Sequence, residues 1–118
     1  MGVKNLVNRL TKPVEEHDRA KLVEFCSQLE GVQPTDEIEP RRVARVVGEI
    51  SSVRIVPRAG APSLEVAVSD GRGCVTAVFF GRKKIAGLSP GRKVVIEGMV
   101  APLHNRYFVY NPVYELLP

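Results

Sequence analysis

Residues 64–80, LEVAVSDGRGCVTAVFF, contain two short apolar runs on either side of a turn. In the first run Leu64, Val66 and Val68 alternate with smaller or polar residues, which is the period of a β-strand buried on one face. The turn, 70–73, reads DGRG, and Asp and Gly tolerate the positive φ angles that tight turns require. The second run, 74–80, is rich in β-branched and aromatic residues. This stretch therefore predicts an antiparallel β-hairpin.

The residues before this hairpin predict one long, bent strand. Ala44, Val46 and Ile50 fall on alternate positions, and the same period continues to Ile55 after an interruption at 51–52, where two serines predict a bend. Gly48, in the middle of the run, predicts a bulge or tight curvature. Residues 57–62, PRAGAP, have the composition of a loop.

The residues after the hairpin predict two further strands, at 93–100 and 106–110, separated by 101–105. Residues 81–88 are too few and too polar for a strand, so we expect one or two helical turns there, and 89–91, SPG, fits a type II turn. Three strands, a short helix and two strands are the connectivity of the OB-fold, a five-stranded Greek-key β-barrel.

The first forty residues have helical rather than strand periodicity. Apolar residues recur at i, i+3, i+4 and i+7 in two places, which predicts two amphipathic helices. An acidic stretch bounded by prolines, 32–40, follows and is expected to be a linker or a crossing strand. We therefore divide the chain into a helical appendage with an acidic linker, 1–40, and a barrel, 41–118. The apolar positions of the two helices are Val3, Leu6, Val7 and Leu10, then Leu22, Phe25, Cys26 and Leu29.

Positive charge is concentrated in the predicted barrel. The formal net charge of the chain is +4, but residues 1–40 hold 5 Lys/Arg and 8 Asp/Glu, whereas residues 41–118 hold 12 and 5. A basic β-barrel is expected to bind a phosphate backbone. The predicted partner is nucleic acid, in single-stranded or structured form and with low sequence specificity.

The OB-fold also predicts which residues contact the ligand. Oligonucleotides lie across strands two and three of such a barrel, between the first-to-second and fourth-to-fifth loops. Guanidinium groups suit phosphate because they donate two parallel hydrogen bonds, and aromatic rings stack on bases. Phe79, Phe80 and Phe108 are further candidates for stacking that also fit a core. The predicted nucleic-acid-binding residues are Arg45, Arg54, Arg58, Arg72, Thr76, His104, Asn105, Arg106, Tyr107 and Tyr110.

Three motifs in order give the chain a resemblance to a known family. They are the hairpin at 64–80, LSPGRKVVIEG at 88–98 and NPVYE at 111–115. Residues 41–118 thereby resemble nucleic-acid-binding OB domains of the anticodon-binding type, and among them the wedge domain of RecG-type branch-migration helicases. The resemblance implies an OB-fold and nucleic-acid binding, with DNA in preference to RNA. The chain has no Gly-x-x-x-x-Gly-Lys-Ser/Thr phosphate loop, so helicase activity does not follow.

The remaining reactive residues do not predict a catalytic or metal site. Cys26 and Cys74 are far apart in sequence, with no ligand at zinc spacing, and both are expected to pack as small apolar side chains. His17 and His104 have no nucleophile or carboxylate partner in the sequence. We therefore expect no enzyme activity, no metal and no cofactor. The N-terminus has no continuous apolar stretch, which predicts a cytoplasmic protein without a membrane partner, as a monomer or a weak homodimer.

A second function remains compatible with this sequence. The protein would be a protein–protein interaction adaptor that uses the barrel or the N-terminal helices. In that case the acidic helices would contact a partner, or would fold back and cover the basic face of the barrel.

Overall fold

The structure is a computed structural model that describes residues 18–118. The first predicted helix, at 3–10, lies outside the described residues. Residues 18–27 form a helix, α1, which confirms part of the second predicted helix. Six strands follow: β1 Val43–Arg58, β2 Ala61–Ser69, β3 Cys74–Phe80, β4 Lys93–Leu103, β5 Arg106–Tyr110 and β6 Val113–Leu116.

The first five strands close into a ring. β1 pairs antiparallel with both β2 and β4, β2 pairs antiparallel with β3, β3 pairs parallel with β5, and β5 pairs antiparallel with β4. The fold is therefore mainly β, with one short helix among the described residues and a mixed six-stranded sheet. The sixth strand was not predicted. It is only four residues long and is separated from β5 by Asn111, which has a φ of 47°, and Pro112.

β1 takes part in the ring twice because it bends. Its pairing with β2 shifts by one residue between Ile50 and Ser52, which confirms the bend predicted there. The first half of the strand pairs with β4, and the second half continues along β2. Gly48 is not at the bulge. A Cβ atom on Gly48 would lie 2.5 Å from the backbone oxygen of Ser69, so glycine lets β2 approach β1 closely.

The β1–β2 hairpin is longer than its sequence predicts. Pro57 pairs with Pro62 and Arg58 pairs with Ala61, so most of the predicted 57–62 loop belongs to the two strands. The connecting turn is Ala59-Gly60 alone, and both residues have positive φ, as a two-residue type I′ turn requires. The loop prediction was wrong because both prolines lie near the free end of the hairpin, where strands tolerate them.

The short helix predicted between β3 and β4 is absent. Gly81 and Gly87 both have positive φ, and residues 82–86 between them form no helical turn. Instead, the backbone N–H of Leu88 donates to the carbonyl of Ile85 over 3.2 Å, and both side chains are buried in the core. The predicted type II turn is confirmed by a 3.1 Å hydrogen bond from Arg92 N to Ser89 O and by the positive φ of Gly91.

The core of the ring is filled from alternate positions of the strands. Fully buried side chains include Ile50, Leu64 and Ile96, from three different strands. Ile38 and Ile85 join the same cluster from the segments before β1 and after β3. Residues of the predicted acidic linker therefore contribute to the packing of the ring.

α1 packs on the outer surface of β1 and β4. Cys26 is buried against Val47 and Val95, with Phe25 and Leu29 beside them. Burial, with the nearby Asp70 carboxylate as a second cause, raises the pKa of the Cys26 thiol to about 11. Cys26 therefore packs as predicted, whereas Cys74 is exposed, contrary to the expectation that it is packed.

A buried carboxylate fixes the segment between α1 and β1. Asp70, in the β2–β3 turn, accepts hydrogen bonds from the backbone N–H of Thr35 (2.9 Å) and from its hydroxyl (2.6 Å). The backbone N–H groups of Arg72 and Gly73 also donate to it. Burial raises the pKa of Asp70, but these hydrogen bonds outweigh it and hold the pKa below its usual value. Thr35 thus ties this segment to the β2–β3 hairpin.

Candidate nucleic-acid interface

Strand pairing brings side chains from four strands onto one outer face of the ring. Arg54 of β1 is paired with Glu65 of β2, Glu65 with Val78 of β3, and Val78 with Tyr110 of β5. Paired residues of neighbouring strands point to the same side of a sheet. The adjacent row of paired residues, on the same side of the sheet, contains Ser52, Ala67, Thr76 and Phe108. We call this surface the β1–β2–β3–β5 face.

Three aromatic rings form a stack on this face. The ring centroids of Phe80 and Tyr110 are 5.4 Å apart at an interplanar angle of 11°, and those of Tyr110 and Phe108 are 6.2 Å apart at 9°. Phe108 is only 4% exposed, whereas Phe80 is 46% exposed. We call these three rings the aromatic stack, and its solvent-accessible end is Phe80.

Two guanidinium groups lie against the aromatic stack. Cζ of Arg58 is 6.0 Å from the centroid of Tyr110, and Cζ of Arg106 is 4.9 Å from that of Phe108. Arg106 also donates a 3.3 Å hydrogen bond to the Thr76 hydroxyl. Cation–π contacts and hydrogen bonds of this kind hold the guanidinium planes in place on the face.

Glu65 orients two of the arginines. Arg54 donates to Oε1 of Glu65 over 3.2 Å, and Arg58 donates to Oε2 over 2.8 Å. Burial raises the pKa of Glu65, but the hydrogen bonds and charges of Arg58 and Arg54 lower it below its usual value. The carboxylate is therefore charged at neutral pH and offsets part of the positive charge of the face.

A small cleft opens beside this ion-pair cluster. Its volume is about 290 Å³, and its lining combines two arginines with two hydroxyl groups. Such a set donates hydrogen bonds to an oxyanion, while Glu65 keeps an anion away from its own side of the cleft. The lining residues are Ser52, Arg54, Glu65, Ala67, Thr76 and Arg106.

Most of the residues predicted from sequence lie on or beside the β1–β2–β3–β5 face. His104 and Asn105 form the tight β4–β5 turn immediately before Arg106, and both have positive φ. They are exposed, next to the solvent-accessible side of Arg106. The predicted residues that share the face are Arg54, Arg58, Thr76, Arg106 and Tyr110.

Three predicted residues lie elsewhere. Arg45 forms ion pairs with Glu97 (3.6 Å) and Glu115 (3.8 Å) on the β1–β4–β6 side of the ring. Tyr107 packs against the core cluster from the opposite side of β5. Arg72 is exposed in the β2–β3 turn and lines a cleft of about 810 Å³ beside α1.

Phe79 and Phe80 are both candidates for stacking by sequence, and the structure shows that the exposed ring is Phe80. Strand alternation places Phe79 in phase with the buried Ala77 and Val75, and Phe79 is only 7% exposed. Phe80 is out of phase with them and therefore points outward. This phase difference is the sequence signal that separates the two rings.

The described residues, 18–118, contain no group of three or more His, Cys, Asp or Glu side chains placed to hold a metal ion. Within the same residues, no helix has the length and apolar character needed to cross a membrane.

The sequence matches no protein-family model and has no significant match among curated proteins.

Proposed function

We propose that the ring is an OB-fold barrel and that the protein is a non-catalytic nucleic-acid-binding protein. The order of strands around the ring, β1-β2-β3-β5-β4 and back to β1, is that of a five-stranded Greek-key barrel and supports the proposal. The bound molecule is single-stranded or structured DNA, and it lies on the β1–β2–β3–β5 face.

One observation carries this function: the aromatic stack is accessible at Phe80 and has Arg58 and Arg106 against its other two rings. An aromatic ring can stack on any base, and a guanidinium can contact any phosphate. The aromatic stack and the two arginines together therefore favour binding with little sequence preference. A basic groove beside exposed aromatic rings is how proteins bind single strands.

The position of Phe80 favours an unpaired base over a duplex. Bases inside a duplex stack on one another, and their faces are not available to a protein ring. Phe80 would therefore contact a single strand, or the unpaired part of a junction. The preference for DNA follows from the resemblance to RecG-type wedge domains.

Further positive charge continues from Phe80 along the chain. Gly81 donates a backbone hydrogen bond to Pro62 of the β1–β2 hairpin, so the next residues leave the ring beside that hairpin. Arg82, Lys83 and Lys84 are exposed there. Lysines and arginines near the face raise the local concentration of a polyanion without adding specificity.

Fluorescence anisotropy with a labelled oligonucleotide of about 15 nucleotides tests the proposal. If about 4–6 phosphates are neutralised, the logarithm of the affinity falls with the logarithm of salt concentration at a slope of roughly −3 to −4. A duplex of the same sequence is expected to bind more weakly. Absence of binding at about 50 mM salt would contradict the function.

Two arginine variants give this titration a matched control. Arg106→Ala removes a cation from the β1–β2–β3–β5 face and is expected to reduce the size of the salt slope by about 0.7. Arg45→Ala removes the same charge from the β1–β4–β6 side and is expected to leave the slope nearly unchanged. Equal effects of the two variants would mean that binding depends on net charge and not on the face.

The adaptor function in its autoinhibited form is less well supported for the part of the chain that is described. α1 lies against Val47 and Val95, on a different part of the ring from the aromatic stack. Lys93 contacts the ring of Phe25 over 5.2 Å and adds to this attachment. α1 therefore leaves the β1–β2–β3–β5 face accessible.

A further inference from the structure

Three apolar side chains form an exposed patch on the other side of the ring. Val43 of β1 is 59% exposed, Met99 of β4 is 54% exposed and Val113 of β6 is 72% exposed. Val43 is paired with Met99, and Val113 is paired with Glu97, two residues along β4 from Met99. All three therefore lie on one outer face, and we call them the apolar patch.

The apolar patch has no role in the packing of the described residues. Neighbouring positions on the same strands, such as Ala44 and Val100, are buried in the core, whereas the patch residues point outward. It also lies apart from the aromatic stack, which belongs to β3 and β5. Exposed apolar residues grouped on one face and surrounded by polar side chains are typical of a protein–protein contact.

Charges of both signs surround the apolar patch. Arg45 lies between Glu97 and Glu115 on one side. On the other side Arg42 forms a 2.9 Å ion pair with Glu39, immediately before Val43 in the chain. The five side chains are partly or largely exposed, so they remain accessible to a partner.

We propose that a second copy of this chain packs on the apolar patch and forms a twofold-symmetric dimer. A twofold interface brings the same surface together from both subunits, so it must be complementary to itself. A surface with an apolar centre and a border of arginines and glutamates meets that requirement, because each cation can face a carboxylate of the other copy. The two arginines are already paired with the three carboxylates, so this face has little positive charge left to attract a polyanion, which makes nucleic acid a poor occupant.

Sedimentation velocity of the full-length chain over a range of concentrations tests the dimer. The sedimentation coefficient is expected to rise with concentration as monomer converts to dimer. Met99→Glu and Val113→Glu each place a charge in the centre of the interface, and each is expected to raise the dissociation constant of the dimer by about tenfold or more. Both side chains are largely exposed, so the folded monomer should retain its circular dichroism spectrum and melting temperature.

Ile55→Glu is the matched control. Ile55 is 59% exposed, as much as Val43, but it lies on the β1–β2 hairpin outside the apolar patch. This variant is expected to dimerise like the wild type. Retention of the wild-type dissociation constant in both patch variants would overturn the proposed surface.

A wild-type chain that sediments as a monomer up to roughly 1 mM would overturn the dimer itself. In that monomer, resistance of Met99 to peroxide oxidation would show that another part of the same chain covers the patch. The patch variants should bind the oligonucleotide like the wild type, since their β1–β2–β3–β5 face is intact. A failure of the dimer proposal can therefore be distinguished from a failure of the proposed function.

Discussion

Phe80 is the residue on which base stacking would depend under the proposed function. Its ring is the accessible end of the aromatic stack, so Phe80→Ala removes the surface on which a base would lie. Stacking contributes about 1–3 kcal/mol per base, and we expect the affinity for a single-stranded oligonucleotide to fall by about 5- to 150-fold. Anisotropy titration at fixed salt measures this change.

Ile55→Ala is the control for the Phe80 variant, because Ile55 is similarly exposed but lies outside the β1–β2–β3–β5 face. It should bind like the wild type. Unchanged affinity in Phe80→Ala would show that the aromatic stack does not contact bases.

Asp70 makes a pH-dependent contribution to stability. Its pKa in the folded chain lies below the ordinary value of 3.8, so its carboxylate stabilises the fold above that pH. This contribution is lost as the pH falls through the lowered pKa. Asp70→Asn turns an amide N–H towards the backbone N–H of Thr35, and we expect it to cost about 1.5–3 kcal/mol at neutral pH.

Urea unfolding at neutral pH and at about pH 3 measures this effect. The asparagine variant should lose less stability on acidification than the wild type, because it has no carboxylate to protonate at this position. Equal losses in the two proteins would contradict the assigned role of Asp70.

At the scale of the strands, β1 and β2 approach each other closely at Gly48. A Cβ atom at Gly48 would meet backbone oxygen and carbon atoms of Ser69, which cannot move without separating the strands. We expect Gly48→Ala to lower the free energy of unfolding by about 2–4 kcal/mol. Thermal or urea unfolding gives the value.

Gly98→Ala serves for comparison. Its added Cβ would meet Cγ1 of Val109, a side-chain atom that can shift more easily than backbone. We expect a smaller loss of stability than for Gly48→Ala. The reverse order would show that the β1–β2 approach is not tight at Gly48.

At the scale of the whole molecule, the described part of the N-terminal segment, residues 18–40, is packed against the ring. Thr35 bonds to Asp70, Ile38 belongs to the core cluster, and Cys26 packs on Val47. Removal of residues 1–40 should therefore lower the free energy of unfolding by about 4 kcal/mol or more. Comparison of the melting curves of the full-length and shortened chains tests this.

An unchanged melting temperature after this truncation would mean that residues 41–118 fold independently of the segment before them. A control that replaces only the exposed Glu39 by alanine should melt close to the wild type, because its ion pair with Arg42 is on the surface.

The sequence predicted strands more reliably than the connections between them. β3 follows from its β-branched and aromatic residues, and the bend of β1 follows from an interruption of the two-residue period at two serines; both are local properties of the sequence. The 57–62 segment and the 81–88 segment were wrongly predicted, because composition alone does not show which residues will pair in a strand or be buried in the core. Pairing across the β1–β2 hairpin placed most of residues 57–62 in strands. Burial of Ile85 and Leu88 fixed the conformation of residues 81–88.

The candidate interface was predicted only in part, because local sequence patterns show which residues point outward but not which of them become neighbours. Arg54, Thr76 and Tyr110 point away from the core by alternation, so the sequence alone places them on the outer side of the sheet, where Thr76 is buried beneath its neighbours. Which outward residues become neighbours depends on strand order and register. These brought Arg58 and Arg106 to the aromatic stack and placed Arg45 on the other side.

Residue type and spacing by themselves determined that this chain is mainly β, that residues 41–118 are basic and where most of its strands lie. Those properties depend on neighbours in sequence, through the two-residue period and the charge of each side chain. The tertiary structure alone decided the closure of the ring, the aromatic stack and the apolar patch. These depend on contacts between residues tens of positions apart, such as Thr76 with Phe108, which only the paired strands bring together.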